Sequence, residues 1–244
     1  MSGYADEYKQ RAAAHAVQFV RPGMIVGLGT GSTAIHAVRG IADLLRQGGL
    51  HDVVGYATSR GVWQEAVRLG IPMQTEDMPR AIDLTIDGAD EIDPELNLIK
   101  GGGGALLREK IAAQASSRVI IVADDGKLSD RLGLRRALPV EVLPFGWQSQ
   151  ARFLASLGAE VSLRRAPDGL EARTDQGNMV LDCAFGAIAD AAALAGRLEA
   201  RAGIVGHGLF LGLADDVIVA GSGGIRHLRR AGGSVSVSTK RSQD

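Results

Sequence analysis

A single cysteine, Cys183, stands in the 244 residues. No intrachain disulfide can form, and a reducing compartment is the natural expectation. Aromatic residues make up only 4%. Neither Trp63 nor Trp147 lies in a basic, aromatic-interleaved stretch of the kind that stacks single-stranded nucleic acid. Charge of one sign is absent too: 27 Lys and Arg face 28 Asp and Glu, a net charge of −1. No global basic field exists to hold nucleic acid or an anionic membrane. The opening residues, MSGYADEYKQRAAAHAVQFVRPG, are charged and amphipathic and lack the apolar stretch of a secretory signal. No apolar run is long enough for a membrane span. The five histidines (His15, His36, His51, His207 and His227) form no ligand pair. A cytoplasmic protein without nucleic-acid or membrane partners is expected.

Glycine is abundant: 33 residues, roughly twice the usual ~7%. They are not periodic, so a fibre is excluded. They cluster at Gly27–Gly31, Gly101–Gly104 and Gly221–Gly224, and close backbone approach to a ligand is one cause of such clusters.

Hydrophobic spacing predicts helices over Tyr4–Val20, Thr33–Gln47, Ser59–Leu69 and Gly104–Ala115. Short apolar runs between them, Met24–Leu28, Val53–Ala57, Ile82–Ile86 and Arg118–Ala123, read as strands buried on both faces. Alternating strands and helices of this kind make an α/β parallel sheet. The next stretch differs. A strand at Leu138–Leu143, a helix at Trp147–Leu157, a strand at Glu160–Arg165, a hairpin around Asp175–Asn178 and a helix at Asp190–Ala202 read as a small α+β unit. Ile204–Leu211 and Asp216–Ala220 read as strands returning to the first sheet. The expected architecture is a Rossmann-like, mainly parallel domain (1–132 plus 204–230) with a smaller α+β domain (133–203) inserted. The polar stretch 231–244 reads as a frayed tail.

Four motifs could carry chemistry, and the first, second and fourth run on from predicted strands, at the edge where parallel sheets keep their ligand sites. Val26–Ala34, VGLGTGSTA, joins a strand to a helix whose free amides face outward and suit an anion. A dinucleotide would need an acidic residue at the end of the second strand, where Tyr56-Ala57-Thr58 stands. A P-loop would need Gly-Lys-Ser/Thr. A small phosphate ester fits better; a tight strand–helix turn without a ligand is the remaining reading. Thr85–Asp93, TIDGADEID, crowds Asp87, Asp90, Glu91 and Asp93 together. It reads as an acid–base cluster, as a solvated acidic turn, or as a metal site, although its spacing is not that of a calcium loop. Ile99–Ile111, IKGGGGALLREKI, offers a second cradle of amides with Lys100 at its mouth and Glu109 in the following helix. Alone, Glu109 between Arg108 and Lys110 reads as a surface acid. Val122–Asp130, VADDGKLSD, carries Lys127, which can reach an anion or a sugar hydroxyl. Cys183 reads as a small core residue.

Taken in order, GLGTGSTA, ATS, DGADEID, KGGGGALLREK and VADDGK closely resemble ribose-5-phosphate isomerase of the A type. The likeness continues through LPVEVLPFG, TDQGNMVLD and GLF and covers roughly residues 5–228. The pairing of DGADEID with KGGGGALLREK is what makes it specific. Departures are small: four glycines where the family often has three and an alanine, Arg60 and His207 at variable positions, and a looser VIVAGSGGIRHL. The resemblance implies interconversion of ribose 5-phosphate and ribulose 5-phosphate without metal or organic cofactor, by a homodimer or homotetramer. It implies Glu109 as the base, with substrate-binding stretches at Thr30, Gly31, Ser32 and Thr33, at Asp87, Gly88, Ala89 and Asp90, at Lys100, Gly101, Gly102 and Gly103, and at Lys127. On this reading Asp87 serves ring opening and hydroxyl protons, Asp90 orients the sugar or helps Asp87, and Lys100 and the glycine amides stabilise the oxyanion. Lys9 helps the Thr30–Thr33 turn hold the phosphate. Glu91 receives no proton-transfer role. A sugar-phosphate sensor of the same fold is the alternative; it would need the phosphate turn but no base.

Overall fold

The computed structural model describes residues 2–75, 81–231 and 234–240. In chain order it contains α1 (Ser2–Val17), β1 (Ile25–Leu28), α2 (Ala34–Arg46), β2 (Val54–Ala57), α3 (Arg60–Arg68) and β3 (Leu84–Asp87). Then come β4 (Glu91–Ile92), β5 (Leu98–Ile99), α4 (Leu106–Gln114), β6 (Val119–Asp124), β7 (Leu138–Val142), α5 (Trp147–Ser156), β8 (Glu160–Leu163) and β9 (Met179–Ala184). The chain closes with α6 (Ala191–Glu199), β10 (Ile204–His207), β11 (Leu209–Phe210), β12 (Asp216–Gly221), β13 (Gly224–Ala231) and β14 (Ser234–Lys240).

The described residues fall into two compact units. The first lies within Met1–Ala89, Arg108–Lys127 and Gly212–Asp244. Its seven-stranded sheet runs β14-β13-β12-β6-β3-β1-β2. The five strands from β12 to β2 are parallel. All residues of β1, β3 and β12 are buried, as expected for strands covered on both faces. Helix α2 shows the matching stripe: Ala34, Ala37, Val38, Ile41 and Ala42 are buried. Ala37, Val38, Ile41 and Ala42 share a core with Ala12, Ala13, Ala16 and Val17 of α1 and with Val26, Ile86, Ile120 and Ile218 of the sheet. Each large aliphatic side chain so buried contributes roughly 1.5–3 kcal/mol. Among the described residues no helix is long and apolar enough to cross a membrane.

Residues 234–240, expected to be frayed, form β14, paired residue by residue with β13 from Ala231↔Ser234 to Ile225↔Lys240. The pattern SVSVSTK is too polar to announce a strand, but an outer hairpin strand needs only a partner backbone, not a buried face. Residues 232–233 and 241–244 lie outside the described residues.

The second unit lies within Asp90–Leu107 and Leu128–Leu211. It therefore takes in 90–107, 128–132 and 204–211 as well as the 133–203 read from the sequence. It holds a four-stranded sheet, β10-β7-β9-β8, and a three-stranded one, β11-β5-β4. Ile204–Leu211 does not return to the large sheet. It breaks at Gly208, whose N–H donates to the Pro139 carbonyl and whose carbonyl accepts from the Lys100 N–H. β10 then pairs with β7 and β11 with β5. The Asp175–Asn178 turn forms, closed by Gly177 N–H to the Thr174 carbonyl. However, β9 takes β8 as its strand partner, and Arg173↔Met179 is only a single bridge. Fully buried Glu141 fixes this turn, its Oε1 accepting from Thr174 Oγ1 at 2.8 Å and Asn178 Nδ2 at 2.9 Å. Cys183 is fully buried. Burial, with a smaller contribution from the neighbouring Asp182 charge, pushes its thiol up to about 12.

Asp216, 1% exposed at the start of β12, accepts from Arg118 Nε at 2.7 Å, His227 Nε2 at 2.6 Å and Arg229 Nε at 3.1 Å. Burial pushes this carboxyl up, but the hydrogen bonds from Arg118, His227 and Arg229 outweigh it and leave it below the ordinary range. A lowered carboxyl stabilises the fold above its unfolded pKa of about 3.9 and loses that contribution as pH falls through the folded value. Asp216→Asn is therefore expected to melt lower than wild type at pH 7, with the gap narrowing below about pH 4. Melting curves between pH 7 and 3 check this; a constant gap would contradict it.

Candidate active site

The C-terminal ends of β1 and β3 build one cluster. Gly29 N–H continues the β1 ladder to the Ile86 carbonyl at 2.9 Å. Only glycine fits at 29, because a Cβ there would sit 2.2 Å from Asp87 Oδ1. The next residue turns toward the same carboxylate: Thr30 N–H donates to Asp87 Oδ1 at 3.1 Å. Gly88 N–H donates to the same oxygen at 2.7 Å. Asp87, only 2% exposed, is thus held by two backbone amides, one from a residue 57 positions earlier and one from its immediate neighbour. Thr30 Oγ1 lies 2.9 Å from Thr58 Oγ1 and 2.8 Å from Ser59 Oγ. Ser59 in turn caps α3 by accepting from Val62 N–H at 3.2 Å. These hydroxyls fix the turn that leads into α2.

At the start of α2, Gly31 (φ +117°) and Ser32 are exposed while Thr33 is buried. Thr33 occupies the N-cap without a side-chain cap bond, so the first amides of a 13-residue helix are not capped by their own side chain. Such an end suits an anion. On β6's side of the sheet, Lys127 sits in the single turn Asp125–Lys127 that directly follows the strand. Lys9 lies half-buried on α1.

Glu109 lies in the first turn of α4 and is 4% exposed. The reading of it as a surface acid is therefore excluded. A carboxylate this buried needs a reason, and the positive end of the helix dipole favours a negative charge there.

The second unit holds the other set. Asp90 donates its N–H to the Ile99 carbonyl at 2.8 Å, and its Oδ2 accepts from Gly102 N–H at 2.7 Å. Gly101 adopts φ +104° and Gly104 φ +77°, closing a turn with Gly104 N–H to the Gly101 carbonyl at 3.0 Å. Lys100 is 3% exposed, with Nζ 5.6 Å from the centre of the Phe210 ring.

The acidic run TIDGADEID is thus divided among separate tasks. Asp93 caps its own turn, accepting from Glu95 and Asn97 amides. Glu91 is fully buried and accepts from the backbone N–H groups of Gly133 (3.1 Å), Arg135 (3.2 Å) and Arg136 (3.1 Å). It holds the loop ahead of β7. Glutamine there would turn an NH₂ toward amide donors, so Glu91→Gln is expected to cost about 2–3 kcal/mol of stability. Chemical denaturation checks this; unchanged stability would contradict it. Glu95, exposed, is the cleaner neutral control for activity.

The family model for ribose 5-phosphate isomerase A (phosphoriboisomerase A) matches residues 54–224. The chain belongs to the ribose-5-phosphate isomerase A family. Ribose-5-phosphate isomerase A of Chloroflexus aurantiacus is 59% identical over 220 residues, covering 90% of this chain and 92% of the relative. That of Desulfatibacillum aliphaticivorans is 51% identical over 226 residues, covering 93% and 98%. A solved D-ribose-5-phosphate isomerase in complex with phospho-erythronic acid superposes with a TM-score of 0.90 at 36% identity, over 93% of this chain and 99% of that one. As a member of the ribose-5-phosphate isomerase A family the chain is an aldose–ketose isomerase.

Proposed function

We propose that the chain moves one proton between C2 and C1 of a five-carbon sugar phosphate, interconverting D-ribose 5-phosphate and D-ribulose 5-phosphate through an enediolate. The observation that carries this reading is that the matched span 54–224 contains all four residues given acid–base or oxyanion work: Asp87, Asp90, Lys100 and Glu109. Glu109 takes the C2 proton and returns it to C1. One carboxylate over one face of the carbon skeleton can serve both carbons. Charge that develops on the carbonyl oxygen is met by Lys100 and the amides of Gly101–Gly103. Asp87 opens the furanose ring and passes hydroxyl protons, and Asp90 orients the sugar. Thr30–Thr33 and Lys9 hold the phosphate, whose remote binding energy positions the reacting carbons. Gly88 and Ala89 carry the backbone past the sugar, and Lys127 reaches a substrate oxygen. No step needs a metal or an organic cofactor.

The same reading makes a small sugar phosphate the only partner besides other copies of the chain, in a cytoplasmic homodimer or homotetramer. The experiment is turnover of ribose 5-phosphate by purified protein in EDTA. Ketose formation at an undiminished rate is expected. Free ribose is expected to lose kcat as well as to raise KM. Binding without turnover would favour a sensor, and rescue by one divalent ion would overturn the metal-free step.

A further inference from the structure

The glycine cradle has a support outside the motifs that carry the reaction. Arg164, just after β8, spreads its guanidinium over two targets. Nε donates to Asp182 Oδ2 at 2.9 Å and Nη2 donates to Asp182 Oδ1, a fork-to-carboxylate pair anchored on β9. Nη1 donates to the Gly101 carbonyl at 2.6 Å and to the Gly102 carbonyl at 3.2 Å. The Arg164 and Asp182 side chains are 18% and 26% exposed, so this is a partly desolvated pair rather than a solvated surface one. Everything in it lies inside the second unit.

The consequence follows from peptide geometry. A trans peptide is planar, and its C=O and the following N–H lie in that plane and point in opposite directions. Holding the Gly101 carbonyl aims the Gly102 N–H, which is the group that donates to Asp90 Oδ2 at 2.7 Å. Holding the Gly102 carbonyl aims the Gly103 N–H away from the guanidinium in the same way. Four consecutive glycines otherwise carry the largest backbone freedom of any residue type. An arginine is suited to this task because its planar fork serves a carboxylate and two carbonyls at once; a lysine offers a single point charge.

We propose that Arg164, fixed by Asp182, is a positioning residue for the isomerisation: it sets the peptide planes of Gly101 and Gly102, so that the Gly102 and Gly103 amides and Asp90 are held for the enediolate. This rests on the reading that Lys100–Gly103 faces the developing oxyanion. Arg164 itself touches no reacting atom. Removing the clamp loosens interactions that strengthen toward the transition state, so the loss falls on kcat rather than on KM.

The test compares Arg164→Met, Arg164→Lys and Asp182→Asn with wild type for kcat, KM and affinity for phospho-erythronic acid, a mimic of the enediolate. Arg164→Met is expected to lower kcat by about 10²-fold, within the range for a lost oxyanion donor. KM should change less than about threefold, and phospho-erythronic acid should bind correspondingly more weakly. Arg164→Lys should recover part of the kcat, which a purely structural role would not require. Arg173→Met, at an exposed arginine paired with Glu171, should leave all three values unchanged. If Arg164→Met does not fold, Arg164→Lys and Asp182→Asn decide: each should lose several-fold in kcat at near-constant KM. A kcat within twofold of wild type in the folded variants, or a loss confined to KM, overturns the proposal. Glu109→Gln in the same assays separates the two readings. If it is inactive while the Arg164 variants keep wild-type kcat, only the clamp falls. If it is active, the site assignment falls and the clamp with it.

Discussion

Glu109→Gln is expected to reduce kcat by ~10²–10⁴-fold, the range for loss of a general base, while folding and substrate affinity stay close to wild type. Glutamine is nearly isosteric and can remain in the buried first turn of α4, but it cannot accept a carbon-bound proton. A loss at the upper end is expected because one carboxylate serves both C2 and C1. Melting temperature and affinity for phospho-erythronic acid, measured beside kcat, separate lost chemistry from lost structure. Glu95→Gln, at an exposed position, should leave kcat unchanged. If Glu109→Gln kept more than about a tenth of wild-type kcat, a change of only ~1.4 kcal/mol in the barrier, the base would have to be sought elsewhere, with Asp87 first.

The second large effect is expected at Asp87. Asparagine can keep one oxygen on the Thr30 and Gly88 amides that hold Oδ1, so the turn should survive, but the charge and the proton acceptor are gone. A kcat loss of ~10²-fold with ribose 5-phosphate is expected. The chemistry of the two sugars gives a sharper reading. Ribose 5-phosphate is mostly a furanose ring. Ribulose 5-phosphate cannot close a furanose onto C2, because its C5 oxygen carries the phosphate. Exchange of the ribulose C1 proton with solvent therefore needs no ring opening. Asp87→Asn should spare that exchange relative to conversion of ribose 5-phosphate. Equal losses in both would assign Asp87 to hydroxyl protons alone.

How much of this was legible in the sequence depends on what each element needs from its neighbours. The parallel strands were readable because β1, β3, β6 and β12 are apolar on both faces, and α2 because its buried stripe recurs at helical spacing. β13 and β14 were not, since HLRR and SVSVSTK alternate polar residues that pair by backbone. β4 and β5, two residues each, are too short for any periodicity. The same division runs through the site. Glycine runs and acidic clusters announce themselves locally. That Glu109 is buried, that Thr30 and Asp87 meet across 57 residues, and that Glu91 anchors a loop rather than facing solvent are tertiary facts. Arg164 and Asp182 belong to two β-like runs that carry no motif of their own, and only the strand pairing of β8 with β9 brings them to the same place.

Proton transfer by Glu109 through an enediolate leaves its record in the carbon-bound hydrogens. Ribose 5-phosphate is incubated with enzyme in D₂O and EDTA for many turnovers, and deuterium at C1 and C2 is read by NMR. Deuterium is expected to enter both carbons with wild type, at a rate comparable to or below turnover, with no enzyme-dependent entry in Glu109→Gln. Conversion without deuterium at either carbon, as a direct hydride shift would give, or label entering at the wild-type rate in Glu109→Gln, would contradict it.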